Sequence, residues 1–146
     1  MASPRFDYQK QIVDTDGNIL GSASNPLVTS ASPSTSGGLS AYRSLDLGST
    51  GVAVKTSAGQ LYGYYLYNNS SSATRFVKIY DKASAASSSD TPALTLPIPA
   101  GSAANVSFGA GIAFASGISV RATTAIADND TGAPSTNDVV VNLLYK

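Results

Sequence analysis

Apolar and polar residues alternate in short runs along most of this chain, and clusters of turn-forming residues separate the runs. The run that closes the sequence reads DVVVNLLYK. Because successive side chains of a strand point to opposite faces, Val139, Val141 and Leu143 share one face. Val140 and Leu144 share the other face, so both faces are largely apolar. This pattern predicts a central strand in a sandwich.

Similar runs predict short strands along the whole chain, at residues 6–13, 42–47, 51–55, 60–68, 75–81, 93–98, 105–108, 112–114, 118–126 and 138–145. Pro97 has no backbone donor, so the strand over residues 93–98 is predicted at a sheet edge. Gly109 and Gly111 predict a bend or a bulge. Seven or more short strands separated by turns are typical of an antiparallel β-sandwich. The sequence therefore predicts an all-β sandwich, of immunoglobulin-like or jelly-roll type, over residues 41–146.

Residues 1–40 differ in composition and are predicted to form an extended N-terminal arm. In residues 21–40, twelve of twenty positions are Ser, Gly or Pro and none is charged, which is typical of a linker. We expect either a neighbouring subunit or the chain's own domain to hold this arm. Its interface candidates are Asn25, Pro26, Leu27 and Val28.

The residue types that the chain lacks limit its chemistry. The sequence contains no His, Cys, Trp or Glu, and all nine acidic residues are Asp. The commonest general base and the thiolate nucleophile are therefore missing, and no Ser lies in a Gly-x-Ser-x-Gly elbow. The sequence predicts a non-enzymatic protein without a cofactor.

The charge pattern predicts neither a nucleic-acid partner nor a membrane partner. The formal net charge is 0 and only 12% of the residues are charged, whereas nucleic acids and anionic membranes attract basic surfaces. No apolar run approaches the length of about 20 residues that spans a bilayer. The start, MASPR, lacks the basic and apolar regions of a signal peptide, so we expect synthesis in the cytoplasm.

Asp128 and Asp130 are the candidate calcium ligands, because the segment DNDTG supplies hard oxygen ligands. Asp in a segment rich in Asn, Thr and Gly also forms Asx-turns, and the segment lacks the downstream Glu of an EF-hand. A structural turn is therefore the favoured interpretation, and a metal site is the alternative.

Four tyrosines crowd one predicted strand, QLYGYYLYN. Simple alternation places Tyr62 and Tyr64 on one face and Tyr65 and Tyr67 on the other. Tyrosine is common in sandwich cores and at interfaces, where both the ring and the hydroxyl find contacts. Core packing is the favoured interpretation, and the alternatives are subunit contact and sugar stacking, so all four are interface candidates.

Several motifs follow one another in the order DTDGN, SNPL, GQLYG, RFVKIYDK, LPIPAG, FASGI, DNDT and VNLLYK. In this order the chain resembles small virion structural proteins of tailed bacteriophages, which occur among head and tail proteins. The resemblance covers most of the chain. Its motifs are structural, so it supplies no active-site residues.

The resemblance implies a component of a virus particle. Phage decoration, or cement, proteins are often small β-sandwich or β-barrel domains that sit as trimers or dimers over joints between capsomers. It therefore implies a capsid decoration protein, located in the virion, that binds the major capsid protein and copies of itself. The alternatives are a tail, baseplate or fibre component, a carbohydrate-binding adaptor domain, and an unrelated enzyme or calcium-dependent binding module.

Overall fold

Strands and the turns between them account for all the residues that the structure describes. The computed structural model describes residues 38–146, so the interface candidates at 25–28 and the strand predicted at 6–13 lie outside the described residues. The eight strands are β1 Ser40–Ser44, β2 Val52–Lys55, β3 Gly59–Asn68, β4 Arg75–Asp81, β5 Leu94–Ile98, β6 Ala103–Phe114, β7 Ile118–Thr123 and β8 Val139–Tyr145. No helix occurs between residues 38 and 146, which confirms the all-β prediction.

The pairing of the strands defines the type of sandwich. The antiparallel pairs β1 with β8, β2 with β7, β3 with β6 and β4 with β5 are nested in the sequence. They divide into a first sheet of order β1-β8-β3-β6 and a second sheet of order β2-β7-β4-β5. Eight strands rolled up as nested pairs into two four-stranded sheets form a jelly roll. Of the two predicted sandwich types, the structure has the second.

The apolar core lies between the two sheets. In the first sheet, β8 and the end of β3 bury alternate residues, as a half-covered pleated sheet requires, whereas β7 of the second sheet is buried on both faces. The residues of the core cluster that are completely buried are Leu61, Val77, Ile79, Ile98, Ile118, Val120, Ala122, Val139, Val141 and Leu143. Burial of one Val, Leu or Ile side chain stabilises the fold by about 1.5–3 kcal/mol, so this layer supplies the main driving force for folding.

Two strands occupy the positions that the sequence predicted. β8 is a central strand, between β1 and β3, and its inward residues Val139, Val141 and Leu143 are fully buried. β5 is an edge strand, and Pro97 lies within it. Its missing N–H therefore costs no ladder hydrogen bond.

The predicted break around Gly109 is a bulge inside one long strand. Residues 105–108 and 112–114, predicted as separate strands, both belong to β6. Leu61 pairs with Ile112 and Gly63 pairs with Ser107, so β6 advances five residues (112 − 107) while β3 advances two (63 − 61). A bulge of this kind disrupts the ladder locally and bends the strand.

Gly111 should be required for this bulge, whereas Gly109 should not. Gly111 has φ +74°, and a Cβ there would lie 3.2 Å from Cε1 of Tyr62. The left-handed conformation costs a residue with a Cβ about 1–2 kcal/mol, so we expect Gly111→Ala to lower the free energy of unfolding by that amount. Gly109→Ala is the matched control, because a Cβ at Gly109 meets nothing within 4 Å. Urea unfolding measures both, and equal losses would contradict this role.

Candidate functional site

The four tyrosines of β3 occupy three different environments. Tyr64 faces the core and packs edge-on against Phe108, with ring centroids 6.0 Å apart. Tyr65 and Tyr67 lie on the opposite, outer face, with 48% and 40% of their surface exposed. Tyr62 is half-buried, and its hydroxyl donates a hydrogen bond to Oε1 of Gln60.

The expectation that Tyr62 and Tyr64 share a face is wrong, because β3 carries a bulge of its own. Leu61 pairs with Tyr145, but Gly63 pairs with Leu144, so β3 has one extra residue against β8 at this point. The extra residue reverses the alternation, and Leu61 and Tyr64 both face the core. Simple period-two reasoning could not locate this shift.

The outer face of the first sheet carries very little charge. β3, β6 and β8 contain no charged residue, and Arg43 is the single charged residue of the four strands. Tyr65 has Asn142 and Asn105 as its cross-strand neighbours, and Tyr67 has Val140 and Ala103. Two exposed aromatic rings among neutral side chains are typical of a contact surface.

β6 forms one edge of this sheet, and neither a charged residue nor a Pro on the strand protects that edge. It is 12 residues long and contains no Pro, Lys or other charged residue. Within residues 38–146 it pairs with β3 alone. Val106 has 37% of its surface exposed on this strand. Long uncharged edges are templates for pairing with another strand, and proteins usually block them with charges or Pro; here the bulge at 108–111 is the only interruption.

The outer face of the second sheet differs, because loops of the chain cover it. On its two central strands, β4 and β7, five outward-pointing side chains have 0–1% of their surface exposed: Lys78, Tyr80, Ser119, Arg121 and Thr123. Residues 82–93 and 124–138 form the cover. In the first loop, the backbone N–H of Ala86 donates to Oγ of Ser119 over 2.9 Å. In the second, Oγ1 of Thr123 donates to the carbonyl of Ala125 over 2.9 Å.

Two of these covered side chains are cations on neighbouring strands. Lys78 of β4 pairs in register with Arg121 of β7. Nζ of Lys78 donates to the carbonyl of Ala127, and Nη2 of Arg121 donates to the carbonyl of Asp130. Burial and then the nearby Arg121 charge hold the pKa of Lys78 below its ordinary value. Burial is also the main cause that raises the pKa of the Tyr80 hydroxyl.

Asp130 forms the turn that the sequence favoured. Its carboxylate accepts hydrogen bonds from the backbone N–H of Ala125 at 2.8 Å and of Gly132 at 3.1 Å. Asp128 is exposed in the same loop. Among residues 38–146, no group of three or more Asp, Glu, His or Cys side chains converges in a way that could hold a metal ion. The positive charge of Lys78 acts on Asp130 in this loop.

Asp90 anchors the first covering loop. Its Oδ2 accepts a hydrogen bond from Nζ of Lys82 at 2.6 Å and from the backbone N–H of Ser87 at 2.7 Å. The Lys82 hydrogen bond is the largest cause that lowers the pKa of Asp90 to about 2. This carboxylate is therefore ionised and fully engaged above pH 4.

Sequence reasoning missed the buried cations. Lys78 and Arg121 occupy alternate positions of amphipathic strands, where a polar residue normally faces water. Their burial depends on two loops that fold back over the sheet. The local sequence pattern of the strands does not predict that these loops cover it. A partial signal was the length of the loop over residues 124–138, which is long enough to cover a neighbouring sheet face.

No family model, curated protein or solved structure matches this chain. No helix in the described part of the chain is long and apolar enough to cross a bilayer. The candidate site is thus defined by its geometry alone: a sheet face on which Arg43 is the single charged strand residue, an edge strand β6 without charges, and a loop-covered face that encloses two cations.

Proposed function

We propose that this chain is a non-enzymatic structural protein of a phage virion, and that it is a capsid decoration protein. The observation that supports an assembly role most directly is the uncharged edge strand β6 beside the exposed rings of Tyr65 and Tyr67. In an assembly the partner would be the major capsid protein or another copy of this chain. The arm, with its candidates at residues 25–28, would contact the same partners.

The contrast between the two sheets supports this proposal. The chain covers much of the outer face of its second sheet with its own loops, and it leaves Tyr65 and Tyr67 of the first sheet exposed. An exposed edge without charges is an aggregation liability for a protein that works alone, but it is useful in a subunit that adds to a larger structure. Jelly rolls occur in viral capsid proteins and also in lectins, so the fold is compatible with the proposal and does not select it.

The tyrosines favour one alternative, a carbohydrate-binding adaptor in a tail, baseplate or fibre. Aromatic rings on a neutral sheet face can stack against sugars as well as against protein. In that case Tyr65→Ala and Tyr67→Ala would abolish glycan binding and leave particle assembly unchanged. Under the decoration hypothesis the same variants weaken attachment to the capsid.

The copy number of the chain in purified particles tests the proposal. We expect hundreds of copies, in a simple ratio to the major capsid protein, measured by quantitative mass spectrometry. A few copies in multiples of three or six would overturn the decoration hypothesis and favour a tail location.

A charge placed on the β6 edge should block assembly without affecting the fold. Ala103 of β6 and Ala41 of β1 are both exposed alanines on the two edge strands of the first sheet. We expect Ala103→Lys to weaken attachment at least tenfold, or about 1.4 kcal/mol, because a lysine must be desolvated when a partner covers the edge. Ala41→Lys is the matched control and should attach normally. Equal attachment of both variants, in a sedimentation assay with capsids lacking this chain, would contradict a role of the β6 edge.

A further inference from the structure

A cleft opens beside one of the buried cations, between the two loops that cover the second sheet. Its volume is about 340 Å³. Its polar lining consists of Arg121 and five hydroxyl side chains, Ser49, Thr50, Ser87, Ser88 and Thr131.

Arg121 is the unusual member of this lining. Only 1% of its surface is exposed, and the guanidinium makes one hydrogen bond within residues 38–146, from Nη2 to the carbonyl of Asp130. Its Nε is buried and has no acceptor. A guanidinium has five N–H donors, and leaving buried donors without partners is costly. The buried hydroxyl of the neighbouring Tyr80 also has no partner, so the described residues leave two buried polar groups unsatisfied at Arg121.

The charge of Arg121 is also incompletely balanced. The two ion pairs of the described region join Arg75 to Asp138 and Lys82 to Asp90, so neither Arg121 nor its neighbour Lys78 has a carboxylate within 4.0 Å. Buried charges are ordinarily paired, and an anion in the cleft would supply the missing partner.

The carboxylates of the two covering loops do not form ion pairs with Arg121. Asp90 binds Lys82 and Ser87, and the carboxylate of Asp130 binds the backbone of its own turn. Asp128 is exposed, and its effect on Lys78 is smaller than the repulsion from Arg121. Asp130 keeps its negative charge and acts on Lys78, but no carboxylate of the described residues lies within 4.0 Å of the Arg121 guanidinium.

We propose that this cleft binds a small organic oxyanion, with the charged group on Arg121 and the remaining polar groups on the Ser and Thr hydroxyls. The volume exceeds that of a lone inorganic anion and suits a body of monosaccharide size. Hydroxyl side chains both donate and accept hydrogen bonds, which matches the hydroxyls of a sugar ring. Phosphate, sulfate and carboxylate share the chemistry that a guanidinium recognises.

Titration of the full-length protein with four probes tests the proposal. The probes are sodium sulfate, glucose 6-phosphate, glucuronate and neutral glucose, at constant ionic strength, with backbone amide NMR shifts as the readout. We expect saturable shifts at residues 49–51, 86–88 and 131 with the anionic sugars, weaker shifts with sulfate, and none with glucose. A stronger response to the phosphate ester than to glucuronate would identify a phosphorylated source, and the reverse would identify an acidic glycan.

Paired variants on the two walls of the cleft provide the control. Thr50 and Thr131 are exposed, so their substitution should leave the fold intact. Thr50→Asp and Thr131→Asp place a negative charge beside the cleft and should weaken binding of the anionic sugars at least tenfold. Thr50→Asn and Thr131→Asn match Asp in shape without its charge, so they lose only the hydroxyl contact and should weaken binding much less than the Asp variants. Absence of saturable binding by every anion at millimolar concentration would overturn the proposal. Equal binding by the Asp and Asn variants, or shifts located away from the cleft, would overturn it as well.

Discussion

Asn68→Asp should be one of the most destabilising single-atom changes available in this chain. Asn68 ends β3 and is completely buried. Its Nδ2 donates hydrogen bonds to the carbonyls of Ala73 at 2.8 Å, Ile98 at 2.8 Å and Pro99 at 3.2 Å. Its Oδ1 accepts one from the backbone N–H of Ser70 at 3.0 Å. Because Ile98 belongs to the second sheet, this amide joins the two sheets at one end of the sandwich.

The substitution keeps the size of the side chain and replaces the donor group by an acceptor. Three carbonyl oxygens would then face an uncompensated buried carboxylate, a situation that costs about 3–5 kcal/mol. The cheaper state is a protonated carboxyl, which restores one donor, so the pKa of the introduced group is raised in the folded state.

The sign of the pH dependence follows from this raised pKa. An ordinary Asp has a pKa of about 3.9 in the unfolded chain. Between that value and the higher folded value the folded state binds more protons, so stability falls as pH rises. Asn68→Asp should therefore be least harmful below about pH 4 and most harmful at neutral pH.

Urea unfolding at several pH values measures this effect after subtraction of the parent protein's curve. The subtraction is necessary because Asp81 and Asp90 have lowered pKa values and lose their own contributions in acid. Asn69→Asp is the matched control, since Asn69 is the exposed neighbour. A loss below about 1 kcal/mol at pH 7, well under the range for a buried charge, would show that the amide does not join the sheets as described.

Asn68 also illustrates what the sequence could predict and what it could not. The pattern of β3 ends with this residue, and the loop NNSSS marks the end of the strand correctly. Local pattern does not distinguish Asn68, which is buried, from Asn69, which is exposed. Its partners at residues 98 and 99 are 30 and 31 positions away, and only the packed sandwich brings them to its side chain.

The alternation of side chains predicted strands better than it predicted faces. The central position of β8 followed from its two apolar faces, and the edge position of β5 followed from Pro97. The face of Tyr62 was predicted wrongly because one bulged residue in β3 reverses which face of the sheet the preceding residues point to. The covered outer face of the second sheet was not predicted, since Lys78 and Arg121 are ordinary polar residues of a strand until loops close over them.

Lys78→Met should remove an electrostatic cost that the protein bears at neutral pH. The groups that face Lys78 are Arg121 on β7 and the two carboxylates of the covering loop, Asp128 and Asp130. Burial and Arg121 lower the pKa of Lys78, and the two carboxylates oppose them with smaller effects. Its one hydrogen bond goes to the carbonyl of Ala127, an exposed residue that water can solvate instead.

These contributions predict that the variant is the more stable protein at pH 7. Replacement of buried charges by apolar side chains of similar size is often stabilising by about 1–4 kcal/mol. We expect a gain near the lower end, about 1 kcal/mol, because one hydrogen bond worth roughly 0.5–1.5 kcal/mol is lost. Lys82→Met is the control, since Lys82 forms an ion pair with Asp90 and its loss should destabilise the first covering loop.

The pH dependence separates this electrostatic cause from a simple gain in packing. Since the folded pKa of Lys78 lies below the unfolded value, the folded state releases its proton first, and the parent protein gains stability as pH rises through that window. Lys78→Met cannot make this gain, so its advantage should shrink as pH approaches 10. The difference between the two unfolding curves, measured in a buffer free of multivalent anions, cancels the opposing titration of Tyr42 and Tyr80, whose pKa values are raised. A constant difference across this range would mean that packing alone explains the gain, and that Lys78 is not destabilised by its neighbour Arg121.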